Sequence, residues 1–125
     1  MNVVADKSST GLDANIAGAL AYIPIVAIVF LVIEKGSRFV KFHAVQSLLL
    51  CLAWIVLWFG LTMVGLVASR LPFGFIINIL LLFVNLAVMF GGFALWIIAV
   101  IKAFQGQQWK MPYIGDIAEQ QSANL

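Results

Sequence analysis

His43 is the residue of this chain whose type allows the widest range of chemistry, and it is the single histidine among 125 residues. Gln46 follows three positions later, so on a helix the two side chains share a face. An imidazole in this place could act as a pH-sensitive switch or as an axial ligand to a haem or chlorin. Because no second ligand accompanies it, we favour a structural interpretation. His43 would hydrogen-bond a backbone carbonyl in the first loop and, with Gln46, fix the corner between the first two helices.

Catalytic side chains are otherwise sparse. Cys51 lies eight residues from His43, which on one helix is more than two turns and too far for a nucleophile–base pair. As the single cysteine it excludes an intrachain disulfide and a cysteine-based metal site. Every carboxylate falls in a tail or a loop: Asp6, Asp13, Glu34, Asp116 and Glu119. We therefore predict that the protein is not an enzyme and uses no cofactor or metal.

Three cations, Lys35, Arg38 and Lys41, cluster just before His43. Such a cluster can bind anionic lipid headgroups at about 1 kcal/mol per cation, and it can also fix the orientation of the chain in a membrane. The two roles are compatible. The formal net charge of +2 is too small and too dispersed for a nucleic-acid-binding face. The expected partners are the lipid bilayer and other membrane subunits or further copies of the chain, not nucleic acid.

Two amides, Asn78 and Asn85, lie seven residues apart in an apolar stretch, and Gly92 follows after another seven. All three share one helix stripe, which could join helices through hydrogen bonds worth about 0.6–2 kcal/mol each or line a polar pathway. A pathway normally has ionisable residues at depth, and this stretch has none, which favours packing. In the tail, Trp109 indicates an interfacial anchor and Pro112 interrupts any long helix.

Three uninterrupted apolar blocks, at 16–33, 44–68 and 73–101, must position these side chains. None contains Lys, Arg, Asp or Glu, and 64% of the chain is hydrophobic. Each block approaches or exceeds the ~20 residues that cross a bilayer core of ~30 Å. The sequence therefore predicts an all-α integral membrane bundle of three transmembrane helices. Three helices bury little area, so a homo-oligomer or a larger complex is expected.

The predicted helices lie, in chain order, at 12–33, 38–68 and 73–101. We expect the first to be capped at Ser9 or Thr10 and kinked at Pro24, and the second to begin at a Ser37 cap. The short turn at 69–72 makes the second and third helices a tight antiparallel hairpin.

Three segments follow from these helices: a disordered N-terminal tail at 1–10, a transmembrane domain at 11–104 and an interfacial polar tail at 105–125. Cation counting sets the orientation. With three spans, five cations lie on one side, namely Lys35, Arg38, Lys41, Lys102 and Lys110, and two lie on the other, Lys7 and Arg70. This places the C-terminus and the 34–43 loop in the cytoplasm and the N-terminus outside.

Three stretches resemble a known family. Residues 34–48, EKGSRFVKFHAVQSL, resemble the S-x-F-V-x-F-H-A-x-Q signature that opens the second span of small bacterial membrane proteins of the DUF4870, or Tic20-like, group. Residues 103–115, AFQGQQWKMPYIG, resemble its A-x-x-G-x-x-W/Y-x-x-P-x-x-G segment, and residues 19–24, ALAYIP, its first-span pattern. The group includes the magnetosome MamF and MmsF proteins. The resemblance implies a bacterial inner or internal membrane protein, with most members lacking an assigned activity.

The same resemblance implies protein import for the chloroplast relatives and control of crystal growth for the magnetosome ones. Our leading hypothesis is a structural or accessory subunit of a membrane complex, whose H-A-x-Q corner and 109–115 segment contact the partner. The alternatives are a component of a transport or protein-translocation assembly, or a small homo-oligomeric pore. A third possibility is a pigment- or haem-associated subunit that uses His43.

Overall fold

The computed structural model describes residues 7–125, which form an all-helical fold of five helices. In chain order these are α1 (Ala14–Leu20), α2 (Pro24–Ile33), α3 (Arg38–Ala68), α4 (Gly74–Phe104) and α5 (Ile114–Ala123). Apart from an isolated bridge between Lys7 and Asp13, the described residues contain no extended pairing. The predicted all-α class is confirmed.

The two long helices form the antiparallel hairpin that the sequence predicts. α3 has the predicted bounds, and the Ser37 hydroxyl caps it by accepting a hydrogen bond from the Val40 N–H (3.2 Å). α4 is one continuous helix of 31 residues with no break at Gly91–Gly92. At 1.5 Å per residue each extends about 46 Å. Gly74 permits the tight connection, because a Cβ there would lie 1.6 Å from the carbonyl oxygen of Ala68.

Apolar side chains cover the outside of this α3–α4 hairpin. Phe59, Phe83 and Phe90, for example, are 60%, 64% and 63% exposed. A soluble protein does not leave so much contiguous apolar surface in water. Among the described helices, α3 and α4 are long and apolar enough to cross a membrane. Their exposure distinguishes them from the buried core helices of soluble proteins.

The first apolar block forms two helices, and the single kinked helix predicted over 12–33 is wrong. α1 ends at Leu20, α2 begins at Pro24, and Ile23 between them is extended (φ −88°, ψ 117°). The physical reason is Pro24. Its ring keeps the preceding residue out of the helical conformation, and proline fits the first helical position because no N–H is needed there. The chain therefore turns at 21–23 instead of continuing.

The two short helices run in opposite directions along the long ones, and we call them the α1–α2 hairpin. At the start of α1, Asn15 Nδ2 donates to the carbonyl of Phe104 at the end of α4 (3.1 Å). At the turn, Trp96 Nε1, two turns deeper in α4, donates to the carbonyl of Tyr22 (2.8 Å). α2 then returns beside α3 to Glu34, whose carboxylate meets the segment before α1. The hairpin begins and ends at the same end of the molecule.

The segment before α1 contacts Glu34 instead of capping a helix. The hydroxyls of Ser8 and Ser9 both donate to this carboxylate, so the predicted cap in this segment is wrong and α1 begins only at Ala14. The part of the predicted N-terminal tail before Lys7 lies outside the described residues.

The first half of α3 forms the centre of what we call the compact end of the molecule. The α1–α2 hairpin, the last turns of α4 and helix α5 pack around it. This part of α3 is therefore largely buried. Its buried residues are Phe39, Val40, Phe42, His43, Ala44, Val45, Gln46, Ser47 and Leu50. α5 lies in the tail predicted to be polar and interfacial, and its Ala118 packs with Phe42 and Val45. The second half of α3 and the first half of α4 project beyond the compact end.

Candidate functional site

Three buried polar side chains meet inside the compact end, and we call Tyr22, His43 and Gln46 the polar triad. Tyr22 Oη lies 2.6 Å from His43 Nδ1 and accepts a hydrogen bond from Gln46 Nε2 at 2.7 Å. His43 Nε2 lies 3.2 Å from the carbonyl oxygen of Gln107. All three side chains are at most 1% exposed. His43 and Gln46 therefore meet through the hydroxyl of a tyrosine from the turn of the α1–α2 hairpin. The predicted carbonyl partner of His43 in the first loop is wrong: the carbonyl is that of Gln107, because the C-terminal segment packs against this face of α3.

The partners of His43 assign its tautomer. A carbonyl oxygen can only accept, so Nε2 carries the proton and donates to Gln107, and Nδ1 accepts from the Tyr22 hydroxyl. The rings of Phe39 and Phe42 meet the imidazole edge to face, with centroids 4.5 and 5.1 Å away. Because both nitrogens are engaged in a dry aromatic setting, neither is open to a haem or chlorin metal.

The amide of Gln46 joins the polar triad to the C-terminal segment. Its Nε2 also donates to the carbonyl of Trp109 (3.0 Å), and its Oε1 accepts from the backbone N–H of Met111 (2.9 Å). The two stretches that carry the family resemblance therefore contact each other within one chain. Within residues 7–125, every buried side-chain polar atom has a hydrogen-bond partner.

Close approach and one strained residue shape the backbone around the triad. A Cβ on Gly18 would lie 2.7 Å from Phe39 Cε1, so any larger residue there would have to displace the Phe39 ring for α1 to keep its approach to α3. A Cβ on Gly115 would lie 2.3 Å from Lys110 Cβ. Between Lys110 and Gly115, Tyr113 adopts a positive φ of 64° and is 89% exposed. The conformation of Tyr113 and the close approach at Gly115 allow the chain to turn after Met111 and enter α5.

A second polar cluster lies at the outer edge of the compact end, and we call it the Glu34 anchor. The Glu34 carboxylate is 3% exposed and accepts from the Ser8 hydroxyl, from the Ser9 hydroxyl (2.7 Å) and N–H (2.9 Å), and from the Ser37 N–H (3.1 Å). Burial on its own raises the pKa of this carboxyl. The hydrogen bonds from Ser8, Ser9 and Ser37 outweigh that effect and lower the pKa to about 2. The anchor is therefore an ionised carboxylate held by neutral donors.

The predicted headgroup-binding cations surround the same end. Lys35 and Arg38 are exposed and, among the described residues, neither has a carboxylate within ion-pair distance. Arg38 borders a polar groove of about 540 Å³ that Gln108 and Ser122 also line. Lys41 is half-buried and reaches the carbonyl oxygen of the last residue at 3.4 Å. Their role toward lipid stays a prediction.

A further cation, Lys110, has carboxylate partners. Its Nζ lies 3.1 Å from Asp116 Oδ1 and 3.7 Å from Glu119 Oε2. The hydrogen bond to Asp116 and the charge of Glu119 raise the pKa of the Lys110 amine.

The two predicted amides both lie on the side of α4 that faces α3: Asn78 reaches the Gly65 carbonyl, and Asn85 borders a groove with Trp58. Asn78 Nδ2 donates to the carbonyl of Gly74 (3.1 Å) and lies 3.3 Å from Ser69 Oγ, at the tip of the α3–α4 hairpin. Asn85 Nδ2 donates to the carbonyl of Leu81 in its own helix (2.8 Å). Asn78 therefore joins α4 to the end of α3, as the packing interpretation expects, whereas Asn85 makes no hydrogen bond between helices among the described residues.

Apolar grooves and the tail complete the surface. Two mostly apolar grooves flank Trp54. One of about 380 Å³ lies between α3 and α4, and one of about 440 Å³ lies between these helices and the turn at 22–24. In the tail, Trp109 is partly buried against the core, Pro112 is exposed, and Tyr113 carries the exposed aromatic ring. Within residues 7–125 no three His, Cys, Asp or Glu side chains gather where they could hold a metal ion.

Sequence reasoning missed several residues that build the two polar clusters. Tyr22 belongs to the first-span pattern, two residues before Pro24. A tyrosine hydroxyl next to a proline could have indicated that the helix ends there and that the hydroxyl has a buried hydrogen-bond partner. The sequence places Glu34 in a loop and indicates no partner for it. Its signal was Ser8-Ser9 upstream, but nothing in the sequence brings residues 8 and 34 together unless the first apolar block doubles back. Met111 contributes a backbone N–H, which no sequence pattern specifies.

The chain is similar to several proteins that are named as membrane proteins. The UPF0132 membrane protein MJ1443 of Methanocaldococcus jannaschii is 46% identical over 118 residues, which cover 93% of this chain and 94% of the relative. A UPF0132 membrane protein of Archaeoglobus fulgidus is 38% identical over 113 residues, covering 88% of this chain and 96% of the relative. A second Methanocaldococcus jannaschii relative, MJ1527, is 32% identical over 122 residues, covering 95% of this chain and 77% of its own length. None of these names indicates an enzymatic activity.

The family comparison agrees with these relatives. Residues 9–118 match the MamF/MmsF family, described as the magnetosome magnetite crystal formation protein family. No solved structure matches the chain. The wider DUF4870, or Tic20-like, grouping stays a prediction. Since the match covers most of the sequence, including both motif stretches and the polar triad, the chain belongs to the MamF/MmsF family of membrane proteins.

Proposed function

We propose that this protein is a non-catalytic structural or accessory subunit of a larger membrane assembly. The observation that carries the proposal is the closed polar triad, whose hydrogen-bonding atoms are bonded within the chain. A catalytic or cofactor site must present a reactive atom to a substrate, and Tyr22, His43 and Gln46 are each at most 1% exposed. Their arrangement serves to join the α1–α2 hairpin, α3 and the C-terminal segment into one rigid body.

The rigid compact end and the apolar α3–α4 hairpin have separate roles in this proposal. The hairpin supplies the membrane-crossing helices, since both are about 46 Å long and apolar outside. The compact end, with Lys35, Arg38 and Lys41, faces the cytoplasmic headgroup layer, as the positive-inside rule expects. Partner helices would pack against the exposed hairpin.

Family membership supports a membrane role without naming a reaction. The relatives are named only as membrane proteins, and magnetite crystal formation is the description of the family. A subunit that shapes or organises a membrane assembly is compatible with both. A bacterial inner or internal membrane remains our prediction for this chain.

Purification of the tagged chain from its native membrane in mild detergent tests the proposal. We expect a fixed set of partners in constant stoichiometry, and a tag on a partner should recover this chain in return. A tagged, unrelated two-helix membrane protein at the same expression level is the control. A colourless homo-oligomer that purifies alone would contradict the accessory-subunit role.

Two alternatives have their own readouts in the same preparation. A transport component or homo-oligomeric pore should conduct ions after reconstitution, although Asn78 and Asn85 are engaged in contacts within the α3–α4 hairpin and its turn. A pigment- or haem-associated subunit should show a visible band that His43→Ala abolishes. The two engaged nitrogens of His43 disfavour this second alternative.

A further inference from the structure

We propose that the α1–α2 hairpin is a re-entrant membrane element that enters and leaves on one face, so that the N-terminal segment lies on the same side of the membrane as the C-terminus. The protein then has two spans, α3 and α4, in place of the three that its apolar blocks suggest. The membrane face of the compact end becomes a single surface that combines residues 7–10 and the C-terminal segment with the 34–43 loop.

The first step concerns length. α1 has 7 residues and α2 has 10, which correspond to about 10 and 15 Å of helix. Neither helix is long enough to cross ~30 Å of hydrocarbon. The extended Ile23 between them prevents α1 and α2 from forming one continuous helix. The first apolar block is long enough to span by residue count alone, but not in this conformation.

The second step is the contact that closes the hairpin. Ser8 and Ser9 donate four hydrogen bonds or close contacts to the Glu34 carboxylate, across 25 or 26 residues that include the whole first apolar block. A transmembrane helix over 12–33 would hold these groups ~30 Å apart, on opposite sides of the bilayer. The Glu34 anchor and a first span therefore exclude each other.

The third step is the accounting of backbone groups at the turn. Non-helical backbone at membrane depth is tolerated only where protein covers it and satisfies its polar groups. Ala21 and Tyr22 are at most 1% exposed. The extended Ile23 is 47% exposed, but its N–H donates to the Leu20 carbonyl (3.0 Å) and its carbonyl accepts from the Ala27 N–H (2.9 Å). The Tyr22 carbonyl accepts from Trp96, and its hydroxyl bonds to His43 and Gln46. Trp96 thus satisfies the buried backbone carbonyl at the turn, and His43 and Gln46 satisfy the Tyr22 hydroxyl, so neither group needs water.

The fourth step is the side of α2 that faces away from the protein. Its exposed residues follow a helical stripe and are all apolar: Ile25, Ile28, Val29, Val32 and Ile33. Such a stripe suits hydrocarbon and the inner headgroup layer, which is where a re-entrant helix lies. No charged residue occurs between Pro24 and Ile33.

The fifth step is charge. With the first block folded back, Lys7 moves to the side of the compact end, which then holds six of the seven cations: Lys7, Lys35, Arg38, Lys41, Lys102 and Lys110. Arg70 alone lies at the tip of the α3–α4 hairpin. The three-span arrangement divides the cations five to two, so the re-entrant arrangement satisfies the positive-inside rule better. These six cations then face the anionic headgroups of the cytoplasmic leaflet.

Site-directed labelling distinguishes the two arrangements. In a Cys51→Ser background, we would introduce Thr10→Cys, Gln121→Cys and Leu71→Cys singly, all at exposed positions, and label sealed vesicles of each orientation with a membrane-impermeant maleimide. We expect Thr10→Cys and Gln121→Cys to react from the same side, and Leu71→Cys from the other. Reaction of Thr10→Cys together with Leu71→Cys, or from neither side, would overturn the proposal.

A measurement without internal substitutions keeps the test valid if a variant folds poorly. The chain carries a different epitope tag at each terminus, and a protease is added to sealed inside-out vesicles. Both tags should be lost together there and both be protected in right-side-out vesicles. Loss of one with protection of the other would establish an odd number of spans and refute the re-entrant hairpin. Because the topology is measured independently of partners, a result that refutes the re-entrant hairpin does not affect the accessory-subunit proposal. Likewise, a chain that purifies without partners does not affect the re-entrant hairpin.

Discussion

The side-chain oxygen of Gln46 accepts a hydrogen bond from the backbone N–H of Met111 at 2.9 Å, across 65 residues of chain. The same amide donates to the carbonyl of Trp109 and to the hydroxyl of Tyr22. One glutamine therefore satisfies polar groups from the α1–α2 hairpin and from the C-terminal segment. Its neighbours lose their partners if it is removed, while its position in α3 stays helical.

Replacing this amide tests how much the polar triad stabilises the fold. Gln46→Leu keeps a similar volume but leaves Tyr22, Trp109 and Met111 short of a partner in a buried setting. An unsatisfied buried group costs about 1–3 kcal/mol, so we expect a clear fall in the thermal midpoint in detergent. Gln107→Ala is the matched control, because the carbonyl that binds His43 belongs to the backbone. Equal midpoints for both variants would show that the triad adds no stability.

The Glu34 anchor predicts a response to acid at the N-terminal segment. The pKa of Glu34 is lowered from 4.5 to about 2 in the folded protein, so its stabilising effect is complete above about pH 4.5 and is lost as the pH falls toward 2. We expect a fluorescent label at Thr10→Cys to report release of the segment in that window and no change between pH 5 and 7. In Glu34→Gln the segment should be loosened at every pH. A release midpoint near neutrality would contradict the assignment.

Two adjacent glycines in α4 offer a matched test of the α3–α4 hairpin. A Cβ on Gly92 would lie 2.7–3.0 Å from the Trp54 ring, whereas a Cβ on Gly91 meets nothing within 4 Å. Gly92→Ala should displace Trp54 and cost about 1–3 kcal/mol, with a shift in tryptophan fluorescence. Gly91→Ala should be neutral or stabilising by about 0.5–1 kcal/mol, since alanine favours the helix. The reverse order would mean that the hairpin packs in another register.

Tyr113 holds a backbone conformation that favours glycine. Its φ of 64° carries a side chain that is 89% exposed, so little packing is lost on truncation. Tyr113→Gly should relieve strain and stabilise the protein by about 1 kcal/mol relative to Tyr113→Ala, which keeps the strained φ without the ring. The two thermal midpoints measured in one detergent check this. If the alanine variant is the more stable, the strain is not present in solution.

The long helices were predictable from the sequence because they depend on local signals. An apolar run, the Ser37 cap and the short turn before Gly74 fix α3 and α4 to within a few residues. The first block was not predictable in the same way. Its length satisfies the criterion for a span, and Pro24 permits either a kink or a complete break. The choice depends on Trp96 and the polar triad, which supply partners for the groups that the break exposes.

The candidate site was predictable in part for the same physical reason. His43 and Gln46 stood out as polar residues at a helix corner, and they do share a cluster. Their partners are a tyrosine at a turn and backbone groups near Met111, which become neighbours only through the tertiary fold. The Glu34 anchor likewise could not be predicted, because residues 8 and 34 become neighbours only in the folded chain.

The long sequence separation of the Gln46–Met111 contact has a consequence for biogenesis. During synthesis the α3–α4 hairpin can insert once α4 has emerged, because its contacts are between neighbouring segments. The Tyr22 hydroxyl already has its partners in α3 at that stage, whereas His43 and Gln46 gain their last partners only after residues 107–111 have left the ribosome. Until then the surface of α3 against which the α1–α2 hairpin docks has polar groups without partners, so the docked hairpin should be held less firmly. Nascent chains truncated before residue 107 should insert two helices and yet protect the N-terminal block less from proteolysis than the full chain does.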